Sequence, residues 1–158
     1  MISLIVARAK NNVIGINGQM PWHIPSELQY FKEKTLNKIV VMGRNTFNSI
    51  KKPLPNRTNI IISSTLHLND KDCFTLPSIQ KAIEYAKNQD ICFIGGTNIY
   101  KEVIPYVDVM YITEIEKEFE GDTYFPDFDE TSFEKHLIKH VDELIPYTCY
   151  EYKRKSNT

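Results

Sequence analysis

The stretch Val40-Val41-Met42-Gly43-Arg44-Asn45-Thr46 decides the fold. Its apolar residues predict a strand over Ile39–Met42 that ends at Gly43, and a short helix over Thr46–Ile50 follows directly. A strand that passes through glycine into a helix is a unit of α/β proteins, in which helices cover a mainly parallel sheet. A single unit of this kind also has a purely steric explanation, because glycine is common in such turns.

A second junction, Ile94-Gly95-Gly96-Thr97, repeats the pattern between a predicted strand over Ile91–Ile94 and a predicted helix over Thr97–Ile104. Glycine lets the backbone approach a ligand closely, and the first turn of a helix offers unpaired N–H groups to a phosphate. Two such junctions, one of them carrying Arg44, favour a phosphate site over the steric explanation. Neither junction reads G-x-G-x-x-G, so a dinucleotide site here differs from the Rossmann fingerprint.

The other segments continue the alternation of strands and helices. The predicted elements are strands over Ile2–Ala7, Asn59–Ile62 and Val109–Ile115, helices over Pro25–Leu36 and Ser78–Ala86, and a terminal hairpin of Leu137–Val141 with Tyr147–Arg154. Pro25 suits a first helical position, while Ser26 with Gln29 forms an alternative capping box. The pattern predicts an α/β fold with a mainly parallel central sheet and an antiparallel C-terminal edge.

Length and composition limit the domain organisation. The 158 residues correspond to one domain, and 42% hydrophobic with 25% charged residues is ordinary for a globular protein. This composition argues against collagen-like, coiled-coil and disordered classes. The length excludes a dehydrogenase with separate nucleotide and substrate domains. We therefore expect a single domain over residues 1–158 that holds any two ligands together.

The net charge of −1 conceals an uneven distribution along the chain. Residues 1–80 contain ten Lys and Arg against four Asp and Glu, a charge of +6, and residues 81–158 carry −7. Either the two halves interleave in the fold and their charged side chains simply lie solvated on the surface, or the first half presents a site for anions. The basic end Lys153-Arg154-Lys155 is too small for a nucleic-acid footprint.

The cysteines favour a reducing compartment. Cys73, Cys92 and Cys149 are an odd number without CxxC spacing, which argues against a disulfide framework. The apolar start Ile2–Ala7 is too short for a signal peptide, and no run approaches the roughly 20 apolar residues of a membrane span. We expect a cytoplasmic protein without membrane contact.

Glu27 is a candidate functional acid. Helical spacing places it on the side of its helix that also carries Leu28 and Phe31, which is mostly apolar. The alternative is a surface acid stabilised by the dipole at the helix N-terminus. If that side is buried, a lone carboxylate is unfavourable and needs a ligand or a hydrogen-bonding neighbour.

His136 and His140 are four residues apart, a spacing used by helical zinc sites. The segment His136-Leu137-Ile138-Lys139-His140 lacks the glutamate of HExxH, and no third ligand is evident. Surface histidines are the favoured interpretation, and no metal site is predicted.

Taken together, these segments resemble bacterial dihydrofolate reductases over essentially the whole chain. The resemblance lies in Val13-Ile14-Gly15, Met20-Pro21-Trp22, Glu27–Phe31, Met42–Phe47, Ser49-Ile50, Pro53–Arg57, Ile94-Gly95-Gly96, Tyr100, Tyr111-Ile112-Thr113 and Glu120–Pro126. It implies a central eight-stranded sheet with about four helices. It further implies a monomeric enzyme, inhibited by antifolates, that uses NADPH to reduce 7,8-dihydrofolate to tetrahydrofolate for one-carbon and thymidylate metabolism.

The resemblance also implies roles for the pterin pocket. Glu27 would bind and polarise the pterin with a pKa raised by burial, while Thr113 bridges to it and Trp22 helps to hold an ordered water. Tyr100 would lie beside the nicotinamide, and Met20 belongs to the mobile loop from Gly15 to Trp22 that partners Gly121-Asp122. The implied substrate-binding residues are Ile5, Val6, Ala7, Glu27, Leu28, Phe31, Lys32, Ile50, Lys52, Leu54, Arg57, Ile94 and Thr113.

The cofactor site is implied in the same way. Arg44 with Ser63 and Ser64 would hold the adenosine 2′-phosphate, and the two junctions would bind the pyrophosphate, with a cis bond between Gly95 and Gly96. The implied cofactor-binding residues are Ala7, Ile14, Gly15, Asn17, Gly18, Gly43, Arg44, Asn45, Thr46, Ser49, Ile62, Ser63, Ser64, Ile94, Gly95, Gly96, Thr97, Asn98, Ile99, Tyr100 and Thr123.

Some positions depart from the commonest bacterial pattern. The pocket acid is Glu27 where relatives usually have Asp, and Asn98 and Leu76 stand where some relatives offer a basic side chain. More of the 2′-phosphate preference therefore falls to Arg44. Three alternatives compete with a dihydrofolate reductase: a related pterin or pyrimidine reductase, a nucleotide-binding module without activity, and a structural α/β domain.

Overall fold

The computed structural model describes residues 1–156. Its elements are β1 (Ile2–Arg8), β2 (Val13–Gly15), α1 (Pro25–Thr35), β3 (Ile39–Gly43), α2 (Arg44–Ile50), β4 (Thr58–Ile62), β5 (Asn69–Asp70), β6 (Cys73–Leu76), α3 (Ile79–Ala86), β7 (Ile91–Phe93), α4 (Thr97–Val103), β8 (Val109–Ile115), β9 (Thr123–Tyr124), β10 (Phe133–Val141) and β11 (Tyr147–Arg154). Short 3₁₀ turns follow at Ile104–Tyr106 and Glu130–Ser132.

The central sheet has the strand order β10-β11-β8-β1-β7-β3-β4-β6-β5. The pairs from β8 through β1, β7, β3 and β4 to β6 are parallel, whereas β11 with β8, β10 with β11 and β5 with β6 are antiparallel. The predicted fold class is confirmed. The sheet exceeds the predicted eight strands by the two-residue strand β5.

The predicted elements all exist, most of them with shifted boundaries. The helix expected from Thr46 begins at Arg44, and the strand expected from Leu137 begins at Phe133. Ser78 caps α3 as predicted, since its side chain accepts a hydrogen bond from the Lys81 backbone N–H. The alternative capping box at Ser26 is wrong, because Ile24 is the N-cap of α1 and Ser26 lies inside the helix.

Two apolar clusters pack on opposite faces of the sheet. The α1-side cluster includes Ile5, Trp22 and Tyr30, and the α4-side cluster includes Leu4 and Val6. This division follows from the alternation of side chains along β1. Burial on both faces explains why the central parallel strands have nearly continuous apolar sequences.

The three cysteines are buried and unpaired within the described part of the chain. Cys92 and Cys149 are fully buried, and Cys73 is 6% exposed. Across residues 1–156, no helix has the length and apolar character needed to span a membrane.

Candidate active site

The two glycine junctions meet at the carboxyl ends of β3 and β7. The Gly43 N–H donates a hydrogen bond of 2.8 Å to the Gly95 carbonyl. The bond between Gly95 and Gly96 is cis, as the resemblance implied, and Gly95 has a φ of +122° that a side chain would rarely adopt. A Cβ added at Gly95 would lie 3.1 Å from the Tyr100 hydroxyl, a tight contact that adds to the strain of the positive φ for any larger residue.

Glu27 is buried in the first turn of α1, with 5% of its surface exposed. Its backbone N–H donates to the Ile24 carbonyl at 3.0 Å. No protein group within residues 1–156 hydrogen-bonds its carboxylate. Desolvation raises the pKa of the Glu27 carboxyl to about 7, which places its ionisation in the neutral range.

An apolar wall surrounds this carboxylate. Most of the predicted substrate-wall residues pack in the α1-side cluster, namely Ile5, Ala7, Phe31, Ile50, Leu54 and Ile94. Leu28 is 37% exposed and free to contact a ligand. Val6, another implied substrate-binding residue, packs its side chain in the α4-side cluster, so that side chain is not part of this wall and its binding role stays a prediction.

Two buried nitrogen donors on this side of the sheet have no partner within the described part of the chain. They are Trp22 Nε1 and Arg57 Nε. Trp22 is 6% exposed and packs against Phe119 at 5.3 Å between ring centroids. Arg57 is 7% exposed, and burial lowers the pKa of its guanidinium. Buried donors without partners are uncommon in folded proteins and indicate where a polar ligand or water binds.

The buried hydroxyls of Thr113 and Tyr100 both hydrogen-bond to protein groups. Tyr100 donates a hydrogen bond of 2.8 Å from its hydroxyl to the Ile5 carbonyl. The Thr113 hydroxyl donates to Cys149 Sγ at 3.6 Å. The described residues form no direct hydrogen bond between Thr113 and Glu27, and the implied bridge of Thr113 to Glu27 and the pterin stays a prediction. No sequence signal marked Cys149, because its contact with Thr113 is made across neighbouring strands.

A group of hydroxyls lies beside the exposed Arg44. Arg44 donates to the Thr65 hydroxyl at 3.0 Å, and Ser63 Oγ accepts from the Thr65 and Leu66 backbone N–H groups. Thr65 was missed in the sequence, although it continues the run of hydroxyl residues from Ser63. The group offers the guanidinium of Arg44 and the hydroxyls of Ser63 and Thr65, a donor set suited to a phosphate.

The loop that follows β2 is tied to residue 122. The Asn17 N–H donates to the Asp122 carboxylate at 3.0 Å, and the Asp122 N–H donates to the Gly15 carbonyl at 3.0 Å. Hydrogen bonding from Asn17 lowers the pKa of the Asp122 carboxyl. Asn17 and Gly18 have positive φ and form the predicted turn, and Met20 at its end is 47% exposed.

The remaining predicted residues divide by exposure. Lys32, Lys52, Asn45, Ser49, Ser64 and Asn98 are exposed, Ile14, Thr46, Ile62, Thr97 and Thr123 are half-buried, and Ile99 is buried. Leu54 and Arg57 also line a cavity of about 660 Å³, whose other residues lie near the amino ends of β3 and β4.

His136 and His140 lie on the edge strand β10 rather than on a helix. His136 lies 3.5 Å from Glu134, and His140 hydrogen-bonds the Thr148 hydroxyl at 2.8 Å. Across residues 1–156, no three His, Cys, Asp or Glu side chains are grouped as metal ligands.

The family model described as dihydrofolate reductase matches residues 1–154. The chain belongs to the dihydrofolate reductase family. It is 42% identical to the dihydrofolate reductase of Bacillus subtilis, with 100% of this chain and 97% of the relative covered. It is 41% identical to that of Haemophilus influenzae, over 93% of each chain. A solved dihydrofolate reductase from Enterococcus faecalis, complexed with NADP(H) and RAB-propyl, superposes with a TM-score of 0.89 at 36% identity, covering 99% of this chain and 97% of that one.

Proposed function

We propose that the chain catalyses the NADPH-dependent reduction of 7,8-dihydrofolate to 5,6,7,8-tetrahydrofolate, and that Glu27 is its central acid. The buried Glu27 carboxylate is the observation that carries this assignment of residues. It lies in an apolar wall without a protein partner among residues 1–156, and only a ligand or water can complete its hydrogen bonding.

Glu27 would accept hydrogen bonds from the pterin ring N–H and 2-amino group. Such charge-assisted pairs contribute about 1.5–3 kcal/mol. With a pKa of about 7, Glu27 is partly ionised at neutral pH. Its charge would polarise the pterin while a water delivers the proton to N5. Trp22 Nε1, a buried donor without a partner in the described chain, is suited to hold that water.

Arg57 would bind the α-carboxylate of the glutamate portion of the substrate. A guanidinium matches a carboxylate with two parallel hydrogen bonds, and its burial strengthens the pairing because less water competes. The exposed Lys32 and Lys52 would add weaker attraction, screened by salt.

The residues at the glycine junctions fit NADPH. Gly43, Gly95 and Gly96 bring backbone close together at the start of α2 and α4, where no side chain caps either helix. Arg44, Ser63, Ser64 and Thr65 would hold the adenosine 2′-phosphate. NADPH supplies the hydride that C6 of the pterin receives. Tyr100, fixed to the Ile5 carbonyl, would shape the wall beside the nicotinamide.

The activity is tested by mixing the purified chain with NADPH and dihydrofolate. We expect the near-ultraviolet absorbance of NADPH to fall, and a 2,4-diaminopteridine antifolate to stop the reaction. No NADPH oxidation in the presence of dihydrofolate would refute the proposal.

A reductase for a different pterin or pyrimidine is the second candidate, favoured only by the shared fold. Arg57 argues for folate, because a pterin without a glutamate tail has no carboxylate for it. Comparing dihydrofolate with a dihydropterin that lacks the tail distinguishes the two. Equal kcat/KM for both substrates would favour the second candidate.

We further propose that the chain acts in the cytoplasm as a monomer and forms a single domain. The buried free cysteines support a reducing compartment. Nine strands, drawn from both ends of the chain between β1 and β11, share one sheet, which supports a single domain, although residues 157–158 lie outside the described residues. Size-exclusion chromatography with light scattering tests the monomer, and a dimer mass would contradict it.

A further inference from the structure

The first turn of α1 carries the buried acid but has no side-chain cap. Ile24 is its N-cap and contributes only its carbonyl, while Pro25 occupies the first helical position. Helix N-termini are usually fixed by a capping side chain that accepts from a backbone N–H. Among residues 1–156, the only side-chain hydrogen bonds of residues 24–28 are made by Ser26.

Ser26 links the helix to the hairpin of β10 and β11. Its hydroxyl lies 2.7 Å from the Tyr147 hydroxyl and also donates to the Glu143 carboxylate. A carboxylate only accepts, so the Ser26 proton points to Glu143 and the Tyr147 O–H donates to Ser26. The chain of hydrogen bonds therefore has one direction, from Tyr147 through Ser26 to Glu143.

Tyr147 is the rigid end of this series of hydrogen bonds. It is fully buried at the start of β11 and belongs to the α1-side cluster, whereas Glu143 lies exposed in the hairpin turn. Tyr147 pairs with Ile115 of β8 in the antiparallel register. Because the ring is held rigidly by packing, a hydrogen bond to its hydroxyl fixes the position of the first turn of α1.

We propose that Tyr147 is a positioning residue that acts through Ser26 to place the Glu27 carboxylate for the pterin. Glu27 follows Ser26 directly in the chain, and no group in the described residues holds its carboxylate. Its position is therefore set by the backbone of the first turn and by packing. This inference rests on the proposed function of Glu27.

The test compares binding of the two ligands in single variants. Tyr147→Phe removes only the hydroxyl, and Ser26→Ala removes the link. We expect each to raise the dissociation constant for dihydrofolate about three- to tenfold, the value of one hydrogen bond, and to leave that for NADPH unchanged. Ser26→Thr keeps a hydroxyl and should restore most of the affinity.

Tyr150→Phe is the matched control, because it removes a tyrosine hydroxyl from the same strand on the opposite face of the sheet. It should bind both ligands as the unmodified chain does. Unchanged dihydrofolate binding in Tyr147→Phe and Ser26→Ala would overturn the inference. Equal losses for dihydrofolate and NADPH together with a lower Tm would also overturn it, because they indicate a structural role. A chain that binds dihydrofolate but never oxidises NADPH with it would instead refute the proposed function.

Discussion

At the scale of single residues, Glu27 combines two properties that conflict in a protein without ligand. It is charged in part at neutral pH, yet it is 5% exposed among apolar side chains. A buried carboxylate without partners is unfavourable for folding and favourable for binding, because the ligand supplies the missing hydrogen bonds. Sequence spacing placed Glu27 on the correct side of α1, but it did not distinguish a buried acid from a surface acid.

Replacing Glu27 by Gln should reduce turnover strongly. The amide keeps the size of the side chain but loses the charge-assisted hydrogen bonds, so kcat/KM for dihydrofolate should fall about 10- to 150-fold at neutral pH. Steady-state kinetics with saturating NADPH measure this. Near-normal turnover would remove Glu27 from its proposed role.

The same substitution should change the pH dependence of stability. Between about pH 4.5 and 7 the folded chain holds a proton on Glu27 that the unfolded chain has released, so the free energy of unfolding falls as pH rises through this window. The loss from this group is about 3 kcal/mol. The amide in the Glu27→Gln variant cannot ionise, so this variant avoids the loss and should be more stable than the unmodified chain above pH 7.

Urea unfolding at pH 5 and pH 8 without ligands measures this difference. Glu33→Gln, an exposed position on the same helix, serves as the control and should follow the unmodified chain. A Glu27→Gln variant whose stability falls in parallel with that of the unmodified chain would contradict the raised pKa.

Arg44 should set the preference between the two nicotinamide nucleotides. Arg44→Ala removes a charged partner of the 2′-phosphate, so the dissociation constant for NADPH should rise about 10- to 150-fold while that for NADH changes little. Calorimetric titration with each nucleotide measures both constants. Lys153→Ala, an exposed cation on β11, is the control. Equal losses of affinity for NADPH and NADH would show that Arg44 does not bind the 2′-phosphate.

At the scale of elements, the long periodic segments were predictable, whereas several of the short strands were not. β8 has its predicted limits, because seven residues rich in β-branched and aromatic side chains carry a clear signal. β6 has four residues, and β2 and β9 have three and two. Such short strands exist because of pairing with distant chain segments, which local periodicity does not report.

The contact between Gly121 and β2 should be intolerant of any side chain. A Cβ at Gly121 would lie 2.2 Å from Val13 Cγ1 and 2.7 Å from the Gly15 carbonyl, closer than atoms can approach. Gly121→Ala should separate the two segments and weaken the hydrogen bonds that join Asp122 to Gly15 and Asn17 in the loop proposed to be mobile. We expect a slower hydride-transfer step with smaller changes in substrate affinity.

Stopped-flow measurement of NADPH consumption in a single turnover checks this expectation. Glu120→Ala changes the neighbouring residue without filling the contact and is the control. A Gly121→Ala variant with the hydride-transfer rate of the unmodified chain would show that the contact between Gly121 and β2 is not needed for the reaction.

At the scale of the whole molecule, the charge division between the two halves acquires a partial explanation. Arg44 and Arg57, the residues assigned to the anionic ends of the two ligands, both lie in the positive first half of the chain. The fold class followed from the two glycine junctions, but the order of the strands did not. β1 lies between β7 and β8, and no local pattern in residues 2–8 identifies those partners.

NADPH binding should stabilise the folded chain as a unit. At a free concentration one hundred times the dissociation constant, binding adds about 2.7 kcal/mol to the free energy of unfolding. For a domain of this size Tm should rise by about 5 to 10 °C. Differential scanning calorimetry checks this, with NADH at the same concentration expected to give a smaller rise. The same Tm with and without NADPH would contradict the cofactor assignment.

The central place of β1 has a consequence for the chain as it leaves the ribosome. Both neighbours of this strand, β7 and β8, follow it by more than eighty residues, and β8 ends at Ile115. Until those segments emerge, β1 has no edge to pair with and its apolar side chains stay uncovered. Nascent chains should therefore depend on holding chaperones through most of their synthesis, and become resistant to proteases only late in translation.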